Sequence, residues 1–137
     1  MEKLKQLLIV EDDKVDAITV ERMLKDSKAT FSVTHVTNGE EALKHLRSEV
    51  NELPSLILLD LNMPRMNGLE FLEEVKKDHR LCRIPVIVLT TSQEDRDIAK
   101  AFAHCIAGYM VKPILYEQFY SLIDIVNKYW SLNKLPN

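Results

Sequence analysis

Three short runs in this sequence are apolar at every position: Leu7-Leu8-Ile9-Val10, Leu56-Ile57-Leu58-Leu59 and Val86-Ile87-Val88-Leu89. Successive residues of a strand face opposite sides of a sheet, so a strand with no polar member must be covered on both faces. Runs this short and rich in Ile and Val suit strands better than helices. Weaker runs at 31–36 and 109–111 suggest two more strands.

Between the runs, apolar residues recur at helical spacing. Ala17, Val20, Met23 and Leu24 form one stripe, Ala42, Leu43 and Leu46 a second, and Phe71, Leu72 and Val75 a third. Ile98, Ala101 and Phe102 make the fourth; Phe119, Leu122, Ile123, Val126 and Trp130 make the last and longest. Each stripe is what a helix needs to cover one face of a sheet. Asn38 with Glu41 and Asn67 with Glu70 have the spacing of a helix cap, and Ser92 with Asp95 is a weaker copy. Asp13 reads as the cap of the first helix.

The pattern is strand then helix, five times over. Parallel strands joined by right-handed helical crossovers give an open, doubly wound α/β sheet. Five strands match the flavodoxin-like order 2-1-3-4-5 with five helices, whose ligand site lies at the carboxyl ends of the strands. No linker or repeat interrupts the 137 residues, so a single domain is expected over 1–137, with a core at about 5–128 and a short C-terminal extension at 129–137.

Composition narrows the function. With 46% hydrophobic residues, three Gly and five Pro, the chain is neither disordered nor of low complexity. Eighteen basic residues against 21 acidic ones leave a formal charge of −3, which offers no footprint for nucleic acid or an anionic membrane. No apolar run approaches the ~20 residues that span a bilayer, and the N-terminus lacks a signal-peptide pattern. Cys82 and Cys105 fit no metal or redox spacing and read as free thiols, so a cytoplasmic location is expected. His35, His45, His79 and His104 show no ligand spacing and read as surface or loop residues; Met63 and Met66 read as packing and turn residues.

Chemistry should therefore sit just after the apolar runs. Glu11, Asp12 and Asp13 follow the first strand, Asp60 ends the third, Thr90 and Thr91 come after the fourth, and the fifth leads to Lys112-Pro113. Carboxylates gathered this closely either raise a pKa or recruit a cation. Oxygen-only ligation favours a hard ion such as Mg²⁺. Lys112 offers a point charge and Thr90 a hydroxyl for phosphoryl oxygens, and with Asp60 as nucleophile the set reads as an aspartyl-phosphate site.

These stretches, Leu7 to Asp13, Asp60 to Gly68, Val88-Leu89-Thr90 and Tyr109 to Pro113, resemble the response-regulator receiver domain of two-component signalling. The resemblance covers about residues 5–128. It implies that Asp60 accepts a phosphoryl group from a sensor histidine kinase or a histidine phosphotransfer protein. Asp12 and Asp60 would bind Mg²⁺ directly, Glu11 through water, and the Asn62 backbone carbonyl would be a further metal ligand. Thr90 and Lys112 would contact the phosphoryl oxygens, and Tyr109 would be the switch that follows Thr90. The Lys112-Pro113 bond is usually cis in the family. The protein would act as a stand-alone regulator of the chemotaxis type rather than as an enzyme, catalysing only its own phosphotransfer and dephosphorylation. Neither Asn62 nor Ser92 is a strong general base, so slow hydrolysis is expected. The face made by the fourth helix, fifth strand and fifth helix would carry output and a homodimer.

There are departures. The connections at 48–54 and 78–84 are long and read as surface loops, and Cys105 stands where the family commonly has Gly. The Tyr129-Trp130 tail resembles regulators paired with phytochrome-type kinases. Three other readings compete. A mononucleotide binder would need a Gly- or Ser-rich loop in place of Glu11-Asp12-Asp13. A dehalogenase-type phosphatase would carry Asp where Asn62 stands. A phosphorylation-independent interaction module would not need the acids, Thr90 and Lys112 together.

Overall fold

The computed structural model describes residues 5–26 and 31–132. The elements, in chain order, are β1 (Lys5–Val10), α1 (Lys14–Asp26), β2 (Phe31–Val36), α2 (Gly39–Arg47), β3 (Leu56–Leu59) and α3 (Gly68–Lys77). A 3₁₀ turn (Leu81–Arg83), β4 (Val86–Thr90), α4 (Asp95–Ala103), β5 (Gly108–Val111) and α5 (Tyr116–Leu132) complete the chain. Every strand pair is parallel, and the sheet order is β2-β1-β3-β4-β5, as the sequence predicts.

Strand alternation divides the interior into two cores. Leu8, Val10, Ile57, Leu59, Val86 and Val88 meet the stripes of α2 and α3 and Ala101 of α4. Leu7, Ile9, Leu56, Leu58, Ile87 and Leu89 meet Val20 and Leu24 of α1 and Phe119 and Ile123 of α5. Each such side chain contributes about 1.5–3 kcal/mol relative to exposure in water. β3 and β4 are buried at every position, whereas β5, at the edge, is half-buried throughout.

Two helix starts are built as the spacing predicts. Asn38 Oδ1 accepts from Glu41 N (2.9 Å), and Asn67 and Glu70 form a reciprocal capping box. Asp13 Oδ1 accepts from Val15 N (2.9 Å) and Asp16 N (3.1 Å), so it caps α1. The third expectation fails. α4 begins after Glu94 without a side-chain cap, and Ser92 Oγ donates instead to Asp97 (2.7 Å).

Other expectations need correction too. Phe102 is 50% exposed, because α4 buries only Ala101 against the sheet. The 78–84 connection is not merely a surface loop: Leu81 and Ile84 turn inward and join the core, with Asp78 accepting from Arg80 N (2.8 Å) and Leu81 N (3.1 Å). His35 lies within β2, half-buried, and His45 within α2. Cys105 adopts the left-handed conformation (φ 58°) that glycine takes without strain, so the turn before β5 persists with a Cβ in it. Both cysteines are free, and Lys112-Pro113 is cis. Tail residues 133–137 and the Trp130 side chain lie outside the described residues.

Candidate functional site

Strand register brings the distant residues together. Val10 lies opposite both Val36 and Leu59, Leu59 opposite Val88, and Thr90 opposite Val111. The ladder then runs one residue past three of the strands. Glu11 N donates to Val36 O (3.0 Å), Asp60 N to Val10 O (3.0 Å) and Lys112 N to Thr90 O (2.8 Å). The backbone of each of these residues is thus fixed by the neighbouring strand. His35 Nε2 donates to the Glu11 carbonyl (2.7 Å), a second tie on the same residue.

α3 presses on the loop that follows Asp60. A Cβ at Gly68 would lie 2.5 Å from Asp60 O and 2.6 Å from Leu61 Cα, closer than real contacts allow. The missing side chain lets Gly68 N donate to Leu61 O (3.0 Å). Asn62 N donates to Asp60 Oδ1 (3.1 Å), which orients the carboxylate.

Carboxylate oxygens of Glu11, Asp12 and Asp60 lie within 4.8 Å of one another, with Glu11 and Asp60 buried and Asp12 exposed. Burial, then the hydrogen bond and charge of Asp60, push the Glu11 carboxyl up to about 8 against the opposing pull of Lys112. Near neutral pH the pocket therefore favours either a bound proton or a bound cation. An all-oxygen set with one solvent-facing acid fits a hard divalent ion that keeps part of its water shell.

Lys112 closes the pocket from the β5 side. Its Nζ pairs with Glu11 and with Asp16 (2.8 Å), and stands 3.7 Å from Asp60 Oδ2. Burial by itself would lower the ammonium pKa, but the carboxylates of Asp16, Glu11 and Asp60 outweigh it and hold the group above its ordinary value. Thr90 is fully buried, and its Oγ1 accepts from Asn62 Nδ2 (3.4 Å) and Ser92 N (3.5 Å). Asn62 Nδ2 also reaches Thr91 Oγ1 (3.3 Å). Tyr109 packs against the α2–α3 core and donates its hydroxyl to Ser92 O (2.9 Å). Burial pushes the Tyr109 phenol pKa up.

Glu11, Asp12, Asp60 and Lys112 thus share one pocket, while Thr90 and Tyr109 connect to it through Asn62 and Ser92. Asp13 is separate, engaged at the start of α1. Sequence reasoning missed Asp16. Its position three residues after the Asp13 cap is a readable helix-start signal, yet its carboxylate leaves the helix for a lysine 96 positions away. Tyr116, exposed at the start of α5, stacks on Tyr120 and donates to Asp26 of α1 (3.1 Å).

The sequence pattern of the response regulator receiver domain family matches residues 7–124. The chain is similar to the probable methanogenesis regulatory protein FilR2 of Methanothrix harundinacea, 33% identical over 127 residues, or 90% of this chain and 82% of that protein. It is similar as well to response regulator Rcp1 of Synechocystis, 33% identical over 130 residues, 92% of this chain and 88% of that one. The crystal structure of Mn²⁺-bound Rcp1 matches with a TM-score of 0.82 over 97% of this chain and 99% of that chain. That of the phosphorylated cyanobacterial phytochrome response regulator RcpA, 35% identical, matches with 0.84 over 98% and 100%.

Proposed function

The chain belongs to the response regulator receiver domain family, and on that premise we propose that it takes a phosphoryl group on Asp60 from a sensor histidine kinase or a histidine phosphotransfer protein. The convergence of Glu11, Asp12, Asp60 and Lys112 at the strand ends carries this reading. An Asp60 oxygen attacks phosphorus; the new O–P bond forms as the P–N bond of a phosphohistidine breaks, and the imidazole leaves with the electron pair. Glu11, Asp12, Asp60 and the Asn62 carbonyl would hold Mg²⁺, which when bound offsets the charge of the acids and of the phosphoryl oxygens. Lys112 and Thr90 take the remaining phosphoryl oxygens. The carrying experiment is incubation with acetyl phosphate and Mg²⁺ followed by intact mass. A gain of one phosphoryl group, lost in EDTA and in Asp60→Asn, is expected; a gain that persists in Asp60→Asn overturns the assignment.

The signal then leaves through Thr90. Ser92 touches Thr90 Oγ1 with its amide and Tyr109 with its carbonyl, so a shift at Thr90 is felt at Tyr109. We read the α4–β5–α5 face as the output surface and site of a homodimer, supported by exposed Phe102, Ile125 and Tyr129. Sedimentation with and without beryllofluoride tests the dimer, and a monomer in both states at high concentration contradicts it. The likeness to Rcp1 and RcpA supports a phytochrome-type kinase as donor and a single cytoplasmic receiver domain, core about 5–128, as the working unit. Among the described residues no helix is long and apolar enough to cross a membrane.

A further inference from the structure

Lys112 has more partners than a phosphoryl-binding lysine requires. An ammonium has three N–H donors; one goes to Glu11 and one to Asp16, and Asp60 lies beyond hydrogen-bond reach at 3.7 Å. The two partners differ in kind. Glu11 is buried among the pocket acids, whereas the Asp16 side chain is 41% exposed on the first turn of α1, where water replaces a lost partner readily. Asp16 lies outside the Glu11, Asp12 and Asp60 cluster, and its carboxylate holds Lys112 Nζ at 2.8 Å.

We propose that Asp16 is a positioning residue for phosphoryl transfer: its carboxylate draws Lys112 Nζ toward α1 and off Asp60, and so restrains entry of the phosphoryl group. This rests on the reading of Asp60 as phosphoacceptor. As the O–P bond forms on Asp60 and the donor's leaving group departs with its electron pair, Nζ exchanges the Asp16 oxygen for a phosphoryl oxygen, and Asp16 passes to water. A stronger hold at Asp16 makes that exchange harder. The pairing also makes α1 a party to the reaction, because the ammonium that leaves Asp16 releases a tie between the first turn of α1 and the end of β5.

The test measures initial phosphoryl uptake from acetyl phosphate with Mg²⁺ by intact mass, and the Kd for beryllofluoride by calorimetry. It compares wild type with Asp16→Asn, Asp16→Ser, Asp16→Glu and Asp13→Ser. Asp16→Asn and Asp16→Ser, which both lose the charge, are expected to take up phosphoryl at least threefold faster and bind beryllofluoride at least threefold tighter. Asp16→Glu restores the slower rate. Asp13→Ser removes a neighbouring exposed charge while keeping a capping hydroxyl, and separates a diffuse charge effect from the hold on Lys112. Neutral variants at Asp16 that match wild type, or an equal gain in Asp13→Ser, overturn the proposal. A wild type that takes neither phosphoryl nor beryllofluoride is a different result: it removes the phosphoacceptor reading, and this inference with it.

Discussion

The strands at the centre of the sheet and the strand at its β5 edge both end in functional residues, but they hold them differently. β3 and β4 are buried at every position and deliver Asp60 and Thr90, themselves buried. β5 is half-buried throughout, carries Tyr109, and leads to Lys112. It is paired on one side only, to β4, with α4 burying little more than Ala101 nearby. The acceptor thus sits on a fully buried strand, whereas Tyr109 and Lys112 sit on and just after a half-buried one, where less burial opposes movement.

The sharpest way to break this contrast is by truncation in each region. Ile57→Ala, at 0% exposure in β3, should cost about 3–4 kcal/mol in urea unfolding, and Met110→Ala in β5 about 1 kcal/mol. Equal losses would erase the distinction. Next in size, Lys112→Ala should slow phosphoryl uptake about 100-fold, the effect of removing a preorganised charge stabiliser. Its Mg²⁺ affinity should hold or rise as a positive charge leaves the acids, and a fall comparable with that of Asp12→Ala would contradict the role given to Lys112.

A pH experiment probes the centre alone. Folded Glu11 keeps its proton up to about pH 8, against an ordinary carboxyl value of 4.5. The unfolded chain therefore releases that proton first, and the Glu11 contribution to stability falls as pH climbs through this window, then levels off. Without divalent cation, the Tm of the wild type should decline from pH 5 to 8 more steeply than that of Glu11→Gln; parallel curves would remove the burial argument. The smallest effect belongs to the edge. Cys105→Gly should add about 1 kcal/mol, or ~3 °C in Tm, by relieving a Cβ in the left-handed region. An unchanged or lower Tm would mean that the turn holds no such strain.

The same divide governs what could be read from the sequence. Runs such as 56–59 and 86–89 are legible because burial on both faces leaves no place for a polar residue, and the strand ends then name Glu11, Asp60, Thr90 and Lys112 directly. Local caps are legible where spacing and chemistry coincide, as at Asn67 and Glu70. What escaped depends on long-range placement. Asp16 finds Lys112 across the fold, Ser92 prefers Asp97 to a capping role, and Phe102 stays outside because α4 lies on an edge that buries one residue rather than a stripe. Leu81 and Ile84 were hidden for the converse reason: a short turn with no helical period closes over the bottom of the core.

Amide hydrogen exchange of the wild type in Mg²⁺, with and without beryllofluoride, tests the contrast most directly. Beryllofluoride should slow exchange most across 91–113, from the loop after β4 through β5, and change β1 and β3 least. Changes spread evenly over the sheet, or confined to β1 and β3, would contradict it.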